Sequence, residues 1–216
     1  MAVVEAKTGQ EPTVHVVDDD PQVRESLGLL VRTSGMRAKT YGSAEEFINE
    51  LEGFPDTPAC LVLDVRLPGL SGLGLQRELN RRGVQIPIIM ISGYADVPTV
   101  VQAMSAGALD FMEKPLSGQV LMRRIVEALD RSVQQRVERA RHNDVASRIA
   151  TLSPREREVM EMLVAGKHAK QIAAEFGIGD KTVLKHRAKV LEKMRVDNVA
   201  ELVRLLLAHQ GATNGR

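Results

Sequence analysis

Short apolar runs alternate with longer amphipathic stretches over the first part of the chain. Runs of this kind occupy residues 14–17, 60–65, 86–92 and 108–113, and the more polar segment 37–41 completes the alternation as a fifth predicted strand. Buried runs of about four to six residues that alternate with helical stretches are typical of a parallel sheet. Joined by right-handed crossovers, they predict an α/β doubly wound (βα)5 domain with a five-stranded parallel sheet over residues 12–128.

The stretches between the runs carry signals for the ends of helices. Asp20 and Pro21 supply an N-cap and a proline at the first helical position, and Ser43 with Glu46 fits a capping box. Glycines stand where three helices should end, at Gly35, Gly83 and Gly107. Helices are therefore predicted over 21–34, 44–51, 73–82 and 98–106, with a fifth that begins at residue 118.

The fifth helix shows no stop signal before the second domain. Residues 121–149 contain neither glycine nor proline, and an apolar residue recurs at every fourth position, at Ile125, Leu129, Val133 and Val137. Beyond residue 140 this stripe weakens. We predict a long helical linker over residues 129–150, and two roles stay open for it: a helix that contributes to dimer contacts, or a passive spacer.

From residue 151 onward the pattern is helical throughout. Ser153, Pro154 and Glu156 offer an N-cap, a proline at the first helical position and a capping-box glutamate. Helices are predicted over 154–165, 169–176, 181–195 and 198–209. The second and third are joined by a tight glycine-containing turn, and the third is basic, which is typical of a helix-turn-helix. We predict an all-α four-helix domain with a helix-turn-helix over residues 151–210.

Composition and charge narrow the function classes. Apolar residues make up 44% of the chain, and no stretch approaches the ~20 uninterrupted apolar residues of a membrane span. Residues 1–11 lack a basic-then-apolar export signal, so a cytoplasmic location is expected.

The single cysteine, Cys60, lies in a predicted strand, where a buried, inert thiol is expected. Residues 1–150 hold 17 Lys and Arg against 20 Asp and Glu, whereas residues 151–216 hold 12 against 8, so the second part could meet a polyanion.

Chemically active side chains follow the ends of four predicted strands. They are Asp18, Asp19 and Asp20 after the first strand, Asp64 at the third, Ser92 at the fourth and Lys114 after the fifth. Because parallel strands end at the same edge of a sheet, these side chains should meet in one crevice. Such a group can hold a divalent cation and let one carboxylate attack a phosphoryl group, which indicates a phosphate-controlled switch. An acidic run at a strand end could also be a helix N-cap with solvated charge, and we assign that role to Asp20.

Five motifs, taken together, resemble those of known families. The first domain resembles a response-regulator receiver at VVDDDP, VLDVRLPGLSGLGL, IPIIMISGYADVPTVVQAM and GALDFMEKP. The second is similar to the LuxR-type DNA-binding domain at LSPREREVMEMLVAGKHAKQIAAEFGIGDKTVLKHRAKVLEKM. With DVP after the Ser92 strand, the chain from Thr13 to His209 resembles the FixJ group within the FixJ/NarL family of two-component response regulators.

The resemblance implies a role for each residue of the crevice. Asp64 would be the phosphoacceptor. Mg²⁺ would be held by oxygen atoms of Asp19, Asp64 and Arg66, the last through its backbone carbonyl, and by Asp18 either directly or through water. Lys114 would neutralise charge on the phosphoryl oxygens, and Ser92 would swing inward to hydrogen-bond them. Phe111 would turn inward in the active form, or it could be an ordinary core residue.

The resemblance also implies partners. These are a cognate sensor histidine kinase, double-stranded promoter DNA, RNA polymerase and a second copy of the chain, which would pair when phosphorylated. The chain would then be a regulator of transcription and not an enzyme.

The basic helix predicted over 181–195 is the candidate recognition helix. Its core-facing residues should be Val183, Val190, Leu191 and Met194. The residues that remain for DNA are Lys181, Thr182, Leu184, Lys185, His186, Ala188 and Lys189. In the family, base-reading positions fall on Leu184, Lys185 and Ala188, but the first is often Glu or Lys and the second often apolar. Leu184 could contact a thymine methyl and Lys185 a guanine. Because these residues differ from those usual in the family, the DNA sequence that the helix recognises cannot be inferred from relatives.

Two other function classes compete with the switch. A Mg²⁺-dependent phosphotransferase or phosphatase would also use Asp64 as its nucleophile. Phosphatases of the DxD type carry an acid two residues further on, however, where Arg66 stands in this chain. A phosphate-independent DNA binder with a vestigial receiver is disfavoured because every receiver position is filled.

Overall fold

The computed structural model describes residues 11–51 and 57–214, which divide into two compact units between Arg136 and Val137. Residues 1–10, whose composition argued against export, lie outside the described ranges. Within those ranges, no helix is both long and apolar enough to cross a membrane.

The first unit alternates strands and helices in the predicted order. Its elements are β1 (Thr13–Val17), α1 (Pro21–Thr33), β2 (Arg37–Tyr41), α2 (Ala44–Glu50), β3 (Ala59–Asp64), α3 (Gly72–Arg81), β4 (Ile88–Ser92), α4 (Val97–Ser105), β5 (Asp110–Glu113) and the start of α5 (Gly118–Ala150). Strand β4 begins later than predicted, at Ile88, and the residue before it is Pro87. That proline has no N–H to give to the ladder, although its carbonyl accepts a hydrogen bond from Leu61 N at 2.9 Å.

All five strands are parallel and lie in the order β2-β1-β3-β4-β5. The predicted five-stranded parallel sheet is therefore confirmed. Val17 pairs with Leu63, Asp64 with Ile91, and Ser92 with Glu113. This register places the carboxyl ends of β1, β3, β4 and β5 along one edge of the sheet.

Helices cover both faces of the sheet, because alternate strand residues point to opposite sides. One core joins Val14, Val62 and Ile89 to buried residues of α1 and α5. The other core contains Leu61, Leu63 and Met90 with residues of α2, α3 and α4. Cys60 is fully buried, and this burial raises the pKa of its thiol, as expected for an inert cysteine.

The helix ends follow the predicted chemistry with one difference. The Asp20 carboxylate accepts hydrogen bonds from the backbone N–H groups of the first turn of α1, which confirms that Asp20 is a cap. Backbone φ is positive at all three predicted stop glycines, Gly35, Gly83 and Gly107. The capping box at Ser43 is only half formed, since Glu46 accepts from Gly42 N at 2.7 Å rather than from Ser43.

The apolar stripe of α5 belongs to the core of the first unit. Ile125, Leu129 and Val133 are buried against the sheet, whereas Val137 is 42% exposed. Ser132 is buried as well, and its hydroxyl accepts a hydrogen bond from Ala59 N at the start of β3. The stripe therefore faces the sheet of the first unit, and three of its four residues are covered there instead of being exposed for the dimer contacts that were one interpretation of the stripe.

The second unit is helical and has two small cores. Its helices are the end of α5, α6 (Pro154–Val164), α7 (Ala169–Phe176), α8 (Asp180–Met194) and α9 (Val199–Asn214), which runs past its predicted end. The capping box of Ser153 and Glu156 is confirmed. Val145 of α5 packs into one of the two cores with Val190 and Met194, so the end of α5 forms part of this unit.

A buried histidine lies in strand β1. His15 Nδ1 is 2.9 Å from the hydroxyl oxygen of Tyr41, and the rings of Tyr41 and Phe47 flank the imidazole. Burial, reinforced by the positive charge of Lys39, lowers the pKa of His15 to about 4. The neutral imidazole is therefore the form compatible with the folded first unit.

We predict that the first unit loses stability as the pH falls from about 6.5 to about 4. The unfolded chain takes up a proton on His15 near its ordinary pKa of 6.5, whereas the folded chain resists protonation until about pH 4. Acid therefore favours the unfolded state, by roughly 3 kcal/mol at most across this window. Urea unfolding followed by tyrosine fluorescence measures this unit alone, because both tyrosines, Tyr41 and Tyr94, lie in it and the chain has no tryptophan.

The variant His15→Phe serves as the control, because it keeps an aromatic ring and cannot titrate. Its free energy of unfolding should change less than that of the wild type between pH 7 and pH 5. Parallel profiles for the two proteins would contradict the assignment.

Candidate metal centre and nucleic-acid interface

Three carboxylates meet at the carboxyl edge of the sheet. Asp18 follows β1 and is fully buried, Asp64 is the last residue of β3 and is 5% exposed, and Asp19 is exposed. One oxygen from each of the three lies within 4.8 Å of the others. The sheet register brings these residues together as the sequence predicted.

An ammonium group joins two of the carboxylates. Lys114 Nζ lies 2.7 Å from Asp18 Oδ2 and 2.9 Å from Asp64 Oδ2. Burial raises the pKa of Asp18, and the hydrogen bond from Lys114 offsets part of that effect. Burial also works against the charge on Lys114, but its bonds to the two carboxylates outweigh this and raise its pKa. Lys114 precedes a cis peptide bond to Pro115, and its backbone N–H donates to Ser92 O at 2.8 Å.

The carboxylate set suits a hard divalent cation. Mg²⁺ prefers oxygen ligands and keeps several waters, so two or three carboxylates are enough. Asp18 and Asp64 are buried and lie beside the exposed Asp19, which leaves one side of the cluster open to solvent. Arg66 N donates to Asp64 Oδ1 at 3.1 Å, while the Arg66 guanidinium lies over the ring of Tyr94. That the Arg66 carbonyl is a ligand stays a prediction.

The two predicted switch residues are engaged in other contacts in this structure. Ser92 is fully buried, and its hydroxyl donates to Tyr94 O at 2.7 Å and accepts from Tyr94 N at 3.2 Å. The hydroxyl is thus engaged by the turn that follows β4. Phe111 is half-buried and packs against the core formed with α2, α3 and α4.

Two further residues shape the site and were not identified from the sequence. Arg24 of α1 donates to the backbone carbonyls of Asp18 at 2.7 Å and Asp19 at 2.8 Å, which fixes the acidic turn. Gly72 begins α3 directly against the phosphoacceptor candidate, since a Cβ at this position would lie 2.0 Å from Asp64 O. No sequence motif identifies either residue, because each acts through close contact with the backbone of another segment.

The basic helix α8 presents most of its predicted DNA residues to solvent. The exposed ones are Lys181, Thr182, Leu184, Lys185, Ala188 and Lys189. His186 is half-buried, with an Nδ1 that has no hydrogen-bond partner among the described residues. On the other face, Val183, Val190 and Met194 are buried and Leu191 is partly buried, as predicted.

The carboxyl end of α8 is tied to neighbouring segments of the second unit. Arg148 of α5 donates to Met194 O at 2.9 Å, and Lys193 donates to Thr151 O at 2.9 Å. Lys193 also lies 2.6 Å from Glu156 Oε2, and this bond, with the one from Ser153 N, lowers the pKa of Glu156 to about 2. Cations near the last carbonyls of a helix stabilise that end.

Each of the two units matches the model of a known protein family. Residues 14–126 match the model of the response regulator receiver domain, and residues 150–206 match that of the bacterial regulatory proteins of the luxR family.

Individual relatives match nearly the whole chain. It is 44% identical over 194 residues to the transcriptional regulatory protein FixJ of Azorhizobium caulinodans, which covers 90% of this chain and 91% of the relative. It is 41% identical over 196 residues to the response regulator protein TmoT of Ectopseudomonas mendocina, with coverage of 91% and 88%.

Solved structures give the same result. The structure of the response regulator StyR superimposes with a TM-score of 0.80 and 38% sequence identity, and the match covers 91% of this chain and 98% of the StyR chain. That of full-length FixJ from B. japonicum is 38% identical, with a TM-score of 0.56 and coverage of 92% and 97%.

We predict that Arg148, which precedes the residues matched by the luxR family model, stabilises the end of α8. In Arg148→Met, the Met194 carbonyl loses a charged donor, so amide hydrogen exchange in the last turn of α8 should become about fivefold to tenfold faster. The control is Arg141→Met, which removes an exposed arginine from the same helix. Equal exchange in the two variants would show that the Arg148 contact contributes nothing.

Proposed function

Because the chain belongs to the FixJ/NarL family of two-component response regulators, we propose that phosphorylation of Asp64 by a sensor histidine kinase controls its binding to promoter DNA. The family joins a receiver to a LuxR-type DNA-binding domain and regulates transcription. The observation that carries the proposal is the Lys114 ammonium held between Asp18 and Asp64 at the carboxyl edge of the sheet.

The chemistry begins with Asp64 as the nucleophile. A carboxylate oxygen of Asp64 forms a bond to the phosphorus of the phosphodonor, while the bond from phosphorus to the donor atom breaks. Lys114 already contacts Asp64, so its charge is in place for the phosphoryl oxygens. Mg²⁺, when held by Asp18, Asp19, Asp64 and the Arg66 carbonyl, would supply further positive charge to those oxygens.

The switch would follow from the new acceptor oxygens on Asp64. Ser92 would exchange its bonds with Tyr94 for one to the phosphoryl group, and Phe111 would turn inward. The turn after Ser92 leads directly to Asp96, the N-cap of α4. An added phosphoryl group favours one of two arrangements through charge-assisted hydrogen bonds.

Helix α4 offers the surface for pairing of two copies. It exposes three large apolar side chains, Val97 at 75%, Val101 at 56% and Met104 at 42%. Pairing through this face would bring two DNA-binding domains together, so that they read two half-sites about one helical turn apart. The affinity for DNA then rises because the second contact is intramolecular.

The DNA-binding domain would use α8 in the major groove. Leu184, Lys185 and Ala188 would face bases, while Lys181, Thr182, His186 and Lys189 would contact phosphates. RNA polymerase is the expected further partner at the promoter, and the DNA partner implies a cytoplasmic site of action. We propose domain boundaries of 12–128 for the receiver, 129–150 for the linker and 151–210 for the DNA-binding domain.

The competing functions have less support. The family consists of transcription regulators with a DNA-binding domain and not of typical enzymes. A vestigial receiver is disfavoured by the close approach of Lys114 to both carboxylates.

We predict that Asp64→Asn abolishes phosphoryl labelling by a small-molecule phosphodonor in the presence of Mg²⁺. An amide lacks the charged nucleophilic oxygen, whereas the sheet register around it should persist. Intact mass and circular dichroism measure labelling and fold. The matched control is Asp20→Asn, which keeps a capping side chain next to the site and should label as the wild type does. Labelling of Asp64→Asn at another carboxylate would refute the assignment.

We predict that Lys185→Ala weakens binding to a selected DNA site more than binding to random DNA. The selected site is a duplex that the wild-type chain enriches from a random pool, and loss of a base contact should cost about 1–3 kcal/mol there. Thr182→Ala, which removes a proposed phosphate contact, should weaken both bindings to a similar extent. Equal losses for Lys185→Ala on the two duplexes would place Lys185 on phosphate instead.

A further inference from the structure

A fully buried amide links the helix beside Asp64 to the helix proposed for pairing. Gln76 of α3 is 0% exposed, and its Nε2 donates to Ala103 O of α4 at 2.9 Å. The other atom of the amide, Oε1, is buried and has no hydrogen-bond partner among the described residues.

This amide is hard to explain as a stabilising contact. A buried acceptor without a partner lowers stability, and an apolar side chain of the same shape would avoid that loss. Nor does the Ala103 carbonyl depend on Gln76, because it also accepts from Ala108 N at 3.1 Å. Stability of the fold alone would favour an apolar residue here.

A second amide lies one turn further along the same face of α3. Asn80 is exposed, and its Nδ2 donates to Ala106 O, just past the end of α4, at 2.8 Å. The last carbonyls of a helix lack partners within the helix, so these two donors hold the carboxyl end of α4 from outside. We call Gln76 and Asn80 the amide pair.

The amide pair joins the helix that starts next to Asp64 to the helix that carries the apolar face. Helix α3 begins at Gly72, whose N–H donates to Val65 O at 3.0 Å and whose α-carbon leaves no room for a side chain next to Asp64 O. The amino end of α4 follows the turn that holds Ser92. Both ends of α4 are therefore attached to segments that start at the acidic site.

We propose that the amide pair are positioning residues, which hold α4 in its resting arrangement. They would thereby set how readily a group bonded to Asp64 moves α4, and its apolar face, into the other arrangement. This rests on the proposed function, in which α4 has two arrangements. Hydrogen bonds made only in the resting arrangement disfavour the other one, so their removal lets a ligand at Asp64 act at lower concentration.

The test uses the full chain with Gln76→Met, Asn80→Ala and the double variant. Met keeps the length of Gln76 without its polar atoms, so the first unit should unfold at the same or a higher urea concentration. The control is Arg77→Ala, an exposed residue of α3 between the pair in sequence. Urea unfolding followed by tyrosine fluorescence measures the stability of the first unit in each variant. This distinguishes a local change at α4 from a loss of stability of the whole unit.

The first measurement needs no ligand. Amide exchange at Ala106, Gly107 and Ala108 should be about threefold or more faster in the double variant than in Arg77→Ala, because the end of α4 loses two donors. The second measurement titrates beryllofluoride, an acyl-phosphate mimic, with Mg²⁺, and follows the bound ¹⁹F resonance. Half-saturation should occur at a concentration about threefold or more lower in the double variant.

The outcomes separate this proposal from the function on which it rests. Unchanged exchange in the double variant overturns the positioning role, as does unchanged or weaker beryllofluoride binding when the wild type binds. A wild type that binds no beryllofluoride contradicts the proposed function, and the exchange measurement then still decides whether the amide pair holds α4.

Discussion

The contact of one ammonium group with two buried carboxylates is the interaction on which the acidic site depends. Asp18 has no exposure, and a buried carboxylate without a partner would be strongly disfavoured in its charged form. Lys114 supplies that partner and bonds to Asp64 as well, so a single cation compensates two like charges. Lys114 therefore lies next to the carboxylate that the proposed chemistry uses as its nucleophile.

The parallel sheet is what makes this contact possible. Asp18, Asp64 and Lys114 are far apart in sequence, and they meet because β1, β3 and β5 end at one edge. The helices then begin at that edge, with α1 capped by Asp20 and α3 packed against the Asp64 carbonyl at Gly72. The starts of these helices therefore lie next to the acidic site, and α4, whose N-cap Asp96 follows the turn after Ser92, exposes the apolar side chains of Val97, Val101 and Met104.

Much of this arrangement could be predicted because it follows from local patterns. Apolar runs predicted four of the strands and the alternating pattern predicted the fifth. The polar residues at the ends of four strands predicted the acidic crevice, since strand direction alone fixes the shared edge. The cap at Asp20 and the capping box at Ser153 are local as well, because both partners lie within one turn. Exposure of Leu184 and Lys185 followed from helical spacing.

Contacts between distant segments could not be predicted in this way. The spacing of Ile125 and Leu129 indicates an apolar helix face, but it does not say whether the sheet or a second copy covers that face; here the sheet covers it. Arg24 and Arg148 act on backbone carbonyls, which are present at every residue and leave no mark in the sequence. From the sequence alone, a glutamine such as Gln76 would be predicted to lie on the surface, whereas in the structure it is buried next to α4.

The most direct test is the molar mass of the chain in solution, measured by light scattering with Mg²⁺ in the presence and absence of beryllofluoride. If occupation of Asp64 controls pairing through α4, the wild-type chain should change from monomer to dimer with beryllofluoride, and Asp64→Asn should stay monomeric. A mass that does not change although beryllofluoride is shown to bind would contradict the account.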